Sequence, residues 1–281
     1  GIEPNTIYTI TGISGSGNIF VTICNQTDLL SRYRNKMMID YNYFDNIDTE
    51  EKAYWLGFFF ADGSITTPSR KRKDGTIKNG IYRIELSLSD TDHKHMEKYN
   101  KALGIEKPIP VTKTNFKTDR CRSYFNSKHM WETLNSYGCT PRKSLTLIFP
   151  NIKIFKDKCL IRHFIRGYVD GDGCLSYSDK DKKRPLLNIL GTEHFLTNLQ
   201  HWLPLQFENK LHKKDDENCN IFSLTFNCST AFYIANYLYK NNNIKLERKN
   251  DKYLEYCRLY EKSYGLQLGK YGELWEENTI I

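Results

Sequence analysis

Two segments of this chain repeat one nine-residue pattern 110 residues apart, and this repeat constrains the fold more than any other feature. The first segment is Trp55–Gly63 (WLGFFFADG) and the second is Ile165–Gly173 (IRGYVDGDG). Each is largely apolar, ends in Asp-Gly and has a small residue at its third and seventh positions: Gly57 and Ala61, Gly167 and Gly171. Residues four apart share one face of a helix, so another helix backbone could approach that bare face closely. The pattern therefore predicts two helices that pack on each other.

The repeat also places one carboxylate at the end of each predicted helix. Asp62 and Asp172 occupy matching positions, and each is followed by a glycine that permits the chain to turn out of its helix. If the helices cross as a pair, the two carboxylates arrive side by side. Two adjacent carboxylates predict a metal site.

Both segments resemble the LAGLIDADG motif of homing endonucleases, and the single-chain form with two motifs is the most similar. The first copy departs from the consensus at Trp55, Leu56 and Phe60. The second copy keeps both aspartates, Asp170 and Asp172. In the family the aspartate just before the final glycine is the metal ligand, which implies that Asp62 and Asp172 are the ligands here. One such motif is more often a capped core helix, whereas two at matching places in similar halves favour the functional interpretation.

An Arg-Lys pair follows the last helix of each half. It is Arg142-Lys143 in the first half and Arg248-Lys249 in the second. In similar enzymes a lysine beside each acid polarises the attacking solvent or stabilises charge on the phosphate, which implies catalytic roles for Lys143 and Lys249. The alternative is a solvated basic turn, the usual place of lysine.

The two halves repeat more than their motif helices. The first half shows strands at Ile81–Asp90, Ile109–Thr114 and Arg120–Asn126 and helices at Thr91–Leu103 and Ser127–Tyr137. The second half shows a motif helix at about 156–172, strands at Leu175–Ser178, Leu186–Leu190, Lys210–Lys214 and Ile221–Asn227, and helices at Thr192–Trp202 and Ser229–Lys240. This order predicts an α+β fold of two pseudo-symmetric αββαββα lobes, in which helices cover one face of each four-stranded sheet.

Polar side chains are predicted on the open sheet faces. They are Arg83, Glu85, Arg120 and Arg122 in the first half and Asn188, His212, Lys214, Ser223 and Thr225 in the second. Such donors and acceptors can recognise base edges in a major groove. The family resemblance implies that the two sheets form a saddle along double-stranded DNA, while Lys71 and Lys73 in the basic loop 70–78 would contact phosphates or be solvated. A register slip of one residue would invert any of these faces.

Composition agrees with an intracellular protein that has a polyanionic partner. The 281 residues carry a formal net charge of +8, from 41 Lys and Arg against 33 Asp and Glu. The eight cysteines form no C-x-x-C pair and indicate free thiols in a reducing compartment. No apolar run approaches the roughly 20 residues of a membrane span, and no signal peptide is recognisable. We expect a soluble protein in the cytoplasm of a bacterium or phage-infected cell, or in an organelle.

Residues 1–48 fall outside the resemblance. Two alternating stretches, Ile7–Ile10 and Ile19–Ile23, flank a turn-rich segment and predict a hairpin. An isolated hairpin is marginally stable, so it must pack on the rest of the protein or on a partner. We therefore predict an N-terminal extension over residues 1–48, a first lobe over 49–150 and a second over 151–281.

The resemblance implies a monomeric, site-specific endonuclease. Asp62 and Asp172 would hold Mg²⁺, which activates water and stabilises the leaving 3′ oxygen. Each acid would serve one strand, so that the product is a double-strand break with short 3′ overhangs. Two other functions stay open: a DNA-binding regulator on the same fold that does not cut, and an RNA-binding intron maturase.

Overall fold

The computed structural model describes residues 6–13, 19–25, 39–66, 69–71, 77–114, 118–204, 209–214 and 220–264. The chain forms two compact units: residues 1–40 with 100–108, and residues 41–99 with 109–281. In the first unit β1 (Thr6–Ile13) pairs antiparallel with β2 (Ile19–Asn25), with an irregularity between Ile10 and Gly12. This is the hairpin that the alternating sequence predicted.

The second unit begins its regular structure with the first motif helix, α1 (Glu50–Asp62). The Thr49 hydroxyl accepts a hydrogen bond from the Lys52 backbone N–H at 3.2 Å, and Glu50 in the first turn complements the helix dipole. The other elements of the first sequence half are β3 (Gly63–Ile65), β4 (Ser69–Lys71), β5 (Ile77–Asn79), β6 (Arg83–Ser89), α2 (His93–Ala102), β7 (Val111–Thr112), β8 (Arg120–Asn126), α3 (Lys128–Ser136) and α4 (Lys143–Thr146).

The second half repeats this order. Its elements are the second motif helix α5 (Cys159–Asp172), β9 (Gly173–Tyr177), β10 (Pro185–Gly191), α6 (Glu193–His201), β11 (His212–Lys213), β12 (Phe222–Asn227), α7 (Cys228–Tyr239) and α8 (Glu247–Tyr264). Helix α5 begins later than the predicted position 156. The Asp157 side chain, which precedes the helix, accepts from the Cys159 backbone N–H at 2.8 Å and so satisfies an N–H that has no partner within the helix.

Each half contains one antiparallel four-stranded sheet, and the two sheets have matching strand orders, β3-β6-β8-β7 and β9-β10-β12-β11. Gly63 lies opposite Leu86 in the first sheet, and Gly173 lies opposite Ile189 in the second. The α+β architecture and its repeat are therefore confirmed. Strands β7 and β11 are edge strands of only two residues, shorter than the sequence predicted, because only Val111–Thr112 and His212–Lys213 pair with the neighbouring strand.

The two motif helices pack backbone against backbone. A Cβ atom on Gly57 would lie 1.9 Å from the Phe164 carbonyl oxygen, and one on Gly167 would lie 2.0 Å from the Tyr54 carbonyl oxygen. Real side chains do not approach so closely, so glycine is required at both positions. The small-residue repeat therefore has the packing role that the sequence predicted.

Side chains of the central strands alternate between a helix-covered face and an open face. In β6 the buried residues are Ile84, Leu86 and Leu88, and in β8 every second residue is buried, beginning with Cys121. The intervening polar residues lie on the other face of the sheet. Among the described residues, none of the helices is long and apolar enough to cross a membrane.

Candidate active site

The carboxylates of Asp62 and Asp172 come together where α1 and α5 end. A Cβ on Gly171, the neighbour of Asp172, would lie 3.2 Å from the Asp62 Oδ2 atom. Burial and the negative charge of Asp172 raise the pKa of Asp62 to about 6, although the charges of Lys143 and Lys249 oppose this. Burial also raises the pKa of Asp172. Two half-buried carboxylates that lie close together repel each other, and a cation bound between them would relieve that repulsion.

A lysine lies at the end of each motif helix. The Lys143 ammonium donates to the carbonyl oxygens of Phe60, at 2.7 Å, and Ala61 in α1. The Lys249 ammonium donates to four carbonyl oxygens, those of Val169 (2.7 Å), Asp170 (2.6 Å), Gly171 (3.2 Å) and Gly173 (2.6 Å). The last carbonyls of a helix lack intrahelical partners and carry partial negative charge, so an ammonium is stabilised there.

The two lysines reach these positions from different backbone settings. Lys143 opens the four-residue helix α4, directly after Arg142, whose φ of 61° is in the left-handed region. Lys249 lies in the first turn of the long helix α8 and is only 4% exposed. Burial lowers the pKa of Lys249 to about 8, although the charge of Asp170 opposes this. In both halves one lysine donates to carbonyls at the end of the motif helix, but Lys249 is more buried than Lys143.

Asp170 is a buried residue whose partners the sequence did not reveal. Its carboxylate accepts hydrogen bonds from the Tyr239 hydroxyl (2.5 Å), the Tyr54 hydroxyl (2.7 Å) and the Leu246 backbone N–H (2.8 Å). Burial raises the pKa of Asp170, and these donors oppose that effect. The extra acid of the second motif was the only sequence signal for this cluster.

Ionic contacts join elements of the two halves, and two of them involve arginines. The buried Arg166 guanidinium in α5 contacts the Glu50 carboxylate in α1 at 2.8 Å and donates to the Ile244 carbonyl at 3.0 Å. Arg248, beside Lys249, makes a two-pronged contact with Asp92, with Nε–Oδ1 and Nη2–Oδ2 distances of 3.0 Å. Both pairs were missed by sequence reasoning, because their members are more than a hundred residues apart.

The predicted DNA-contacting residues of the first sheet lie together on its open face. Arg122 Nε lies 3.9 Å from the Glu85 carboxylate, and Arg120 donates to the Ser87 hydroxyl at 3.2 Å. The Arg83 guanidinium lies over the Tyr124 ring, 4.9 Å from its centroid. Tyr124 is 44% exposed and was not singled out, although its parity in β8 matches that of Arg120 and Arg122.

The predicted DNA-contacting residues of the second sheet include a neutral polar cluster, in which Ser223 is only 7% exposed and so does not lie on an open surface as predicted. The Asn188 side chain donates to the hydroxyls of Ser223 at 2.7 Å and Thr225 at 2.8 Å. His212 pairs across the strands with Ser223, and the exposed Lys214 follows β11. Of the two predicted phosphate-contacting lysines, Lys73 lies outside the described residues, and only the backbone of Lys71 is described.

Two places in the described part of the chain bring potential cation ligands close together. Asp90, His93 and Cys121 bring potential ligand atoms within 4.8 Å of one another. However, His93 already pairs with Asp90 at 3.0 Å, and burial raises the pKa of the Cys121 thiol, which disfavours the thiolate that binds metals. Asp62 and Asp172 offer carboxylate oxygens, which fit a hard cation such as Mg²⁺ better.

We expect Asp62→Asn to stabilise the protein in the absence of divalent cations at about pH 8 and to have little effect below about pH 4. The folded pKa of about 6 exceeds the ordinary value of 3.8, so protonation favours the folded state. The stabilisation that the wild type gains from protonated Asp62 is fully present below pH 3.8, the ordinary pKa. It is lost as the pH rises through about 6, and the loss in the free energy of unfolding is up to about 3 kcal/mol. Thermal unfolding in EDTA across this pH range measures the difference. A variant less stable than the wild type at the alkaline end would contradict the prediction.

Comparison with known proteins gives solved structures only, since neither a protein-family model nor a curated protein matches the chain. The I-LtrWI LAGLIDADG homing endonuclease bound to target DNA is 14% identical, with 86% of this chain and 99% of that chain covered and a TM-score of 0.49. I-SmaMI bound to cleaved DNA is 15% identical, with coverage of 76% and 93% and a TM-score of 0.44. I-GzeII in complex with its DNA target is 13% identical, with coverage of 80% and 96% and a TM-score of 0.49. In its two motifs and among solved structures, the chain is similar to LAGLIDADG homing endonucleases.

Proposed function

We propose that the protein is a site-specific DNA homing endonuclease that makes a Mg²⁺-dependent double-strand break and leaves short 3′ overhangs. The observation that carries this proposal is the meeting of Asp62 and Asp172 at the ends of two packed helices, with one lysine ammonium at each helix end. Paired carboxylates with flanking ammonium groups suit hydrolysis of a phosphodiester, in which negative charge grows on the phosphate.

The metal would be held by the carboxylates of Asp62 and Asp172. When bound, it supplies an activated water and charge stabilisation for the leaving 3′ oxygen. The lysines place positive charge beside the scissile phosphates, where it stabilises the transition state more than the ground state. Because the two motifs are related by a pseudo-twofold repeat, we assign one acid and one lysine to each DNA strand.

The open sheet faces would bind double-stranded DNA. In the first sheet Arg83, Arg120 and Arg122 provide donors for base edges, and in the second the half-buried Asn188 and Thr225 provide donors and acceptors. I-LtrWI, I-SmaMI and I-GzeII, the similar proteins, were each solved with DNA. We extend that partner to this chain and propose that it acts as a monomer, with both half-sites on one polypeptide.

We predict that Arg122→Ala changes base preference at one or two positions of the target and costs about 1 to 3 kcal/mol of specific binding. Arg122 lies in the middle of β8 on the open face, held near Glu85. Lys182 lies in an exposed turn, and we propose that it contacts phosphates. Lys182→Ala is therefore the matched control and should weaken all sequences alike and flatten the salt dependence. Binding to a randomised duplex library, followed by sequencing, measures both effects. Equal changes of base preference in the two variants would contradict this assignment.

Cleavage of plasmid DNA that carries a target selected from such a library tests the proposed function. We expect linear product with Mg²⁺ and intact plasmid with EDTA. Specific binding without cleavage in either buffer would favour the non-cutting regulator. Binding to intron RNA with stimulated splicing, and no DNA cleavage, would favour the maturase.

A further inference from the structure

We infer that Asp170 is a positioning residue that holds Lys249, and with it one of the two half-sites, in place. The expected effect on strand cleavage rests on the proposed nuclease function. The expected effect on the position of Lys249 does not depend on that function. Asp170 is fully buried and therefore does not itself reach the substrate.

Both carboxylate oxygens of Asp170 are engaged. One accepts from the Tyr239 hydroxyl, at the end of α7, and the other accepts from the Tyr54 hydroxyl, in α1, and from the Leu246 N–H. Tyr54 is itself in contact with His95 Nε2, at 2.8 Å. The Asp170 side chain is thus fixed by donors from both halves of the protein.

Leu246 is the residue just before α8, and Lys249 lies three residues further on. The Lys249 backbone N–H donates to the Leu246 carbonyl at 3.1 Å, so the two residues belong to one rigid first turn. A carboxylate that accepts from an N–H at a helix start fixes that start and complements its dipole. The side chain of Asp170 therefore fixes the turn from which Lys249 extends, while the backbone carbonyl of Asp170 accepts from the Lys249 ammonium.

The first motif has no carboxylate at the position that matches Asp170. Phe60 occupies the position that matches Asp170, and Lys143 has two carbonyl acceptors where Lys249 has four. Lys143 also extends from a four-residue helix. Loss of the Asp170 carboxylate should consequently disturb one half-site and leave the other unchanged.

Strand-resolved cleavage tests this asymmetry. A duplex with a different label on each strand is cut under single-turnover conditions by the wild type and by Asp170→Ala, Lys249→Met and Lys143→Met. We expect Asp170→Ala to slow one strand by about tenfold to 10²-fold, the cost of a misplacement of about 1 Å. The slowed strand should be the one affected by Lys249→Met and the opposite of that affected by Lys143→Met. Equal slowing of both strands, or no slowing, would overturn the inference.

Chemical labelling of lysines supplies a readout that needs no cleavage. In the wild type, reductive methylation followed by mass spectrometry should find Lys249 protected by its four carbonyl contacts. Asp170→Ala should increase labelling of Lys249 and leave Lys143 unchanged, whereas Asp170→Asn, which keeps an oxygen acceptor for Leu246, should match the wild type. Unchanged labelling of Lys249 in Asp170→Ala would overturn the inference.

Two further outcomes are separable. If Asp170→Ala does not fold, Asp170→Ser replaces it, since the serine side chain is too short to place an oxygen where the Asp170 Oδ2 atom accepts from Tyr54 and Leu246, and the same results are expected. A wild type that cuts neither strand would refute the nuclease proposal, and the labelling comparison would still decide the role of Asp170.

Discussion

Replacing Asp62 or Asp172 by asparagine should reduce double-strand cleavage by at least about 10³-fold and leave specific DNA binding largely intact. Each substitution removes one negative charge from the proposed metal site, and a bound metal contributes several kcal/mol of transition-state stabilisation. Binding depends chiefly on the sheet faces, which the substitutions do not touch. Single-turnover cleavage and equilibrium binding, measured on the same duplex, separate the two effects.

Asp90→Asn is the matched control for this prediction. It makes the same chemical change in the group formed by Asp90, His93 and Cys121, which we consider a poor cation site. The control should cut at the wild-type rate. Wild-type cleavage by either Asp62→Asn or Asp172→Asn, or a loss of cleavage in Asp90→Asn, would move the catalytic centre elsewhere.

Adding one methyl group to the helix pair should strongly destabilise the protein. Each of Gly57→Ala and Gly167→Ala adds a Cβ atom that would overlap a backbone carbonyl oxygen of the other helix, at distances of 1.9 and 2.0 Å, respectively. Backbone atoms cannot rotate away, so the helices must separate, and we expect a loss of about 3 kcal/mol or more in the free energy of unfolding. Urea unfolding followed by circular dichroism measures the loss.

Gly171→Ala provides a graded comparison within the same interface. Its new Cβ would meet the Cβ of Ala61 at 2.2 Å, a side-chain atom that can be removed. The double variant Ala61→Gly/Gly171→Ala should therefore recover most of the lost stability. If the double variant were no more stable than Gly171→Ala alone, the clash would not lie between these two atoms.

The repeat and the strand faces could be predicted from the sequence because they depend on local periodicity. The third and seventh positions of each motif predict the helix contact, and the alternation in 120–126 places Arg120 and Arg122 on the open face, as the structure confirms. Both signals lie within nine residues. They need no knowledge of the rest of the chain.

The environment of the lysines could not be predicted in the same way. Lys143 and Lys249 donate to backbone carbonyls. Because every residue has a carbonyl group, the amino-acid sequence does not indicate which ones accept. The partners of Asp170 are likewise distant along the chain, since Tyr54 precedes it by 116 residues and Tyr239 follows it by 69. Sequence reasoning located the acids and the lysines, and only the fold revealed what holds them.

The contact between Arg166 and Glu50 makes the two halves non-interchangeable. The charged pair spans α1 and α5 in one direction only, because the motif position that matches Arg166 is Leu56. A homodimer assembled from two copies of the second half would bury Arg166 without its carboxylate, which costs several kcal/mol. The two halves therefore need each other. A chimaera that replaces the first half must supply a carboxylate that pairs with Arg166. Duplication of the second half alone should not regenerate the fold.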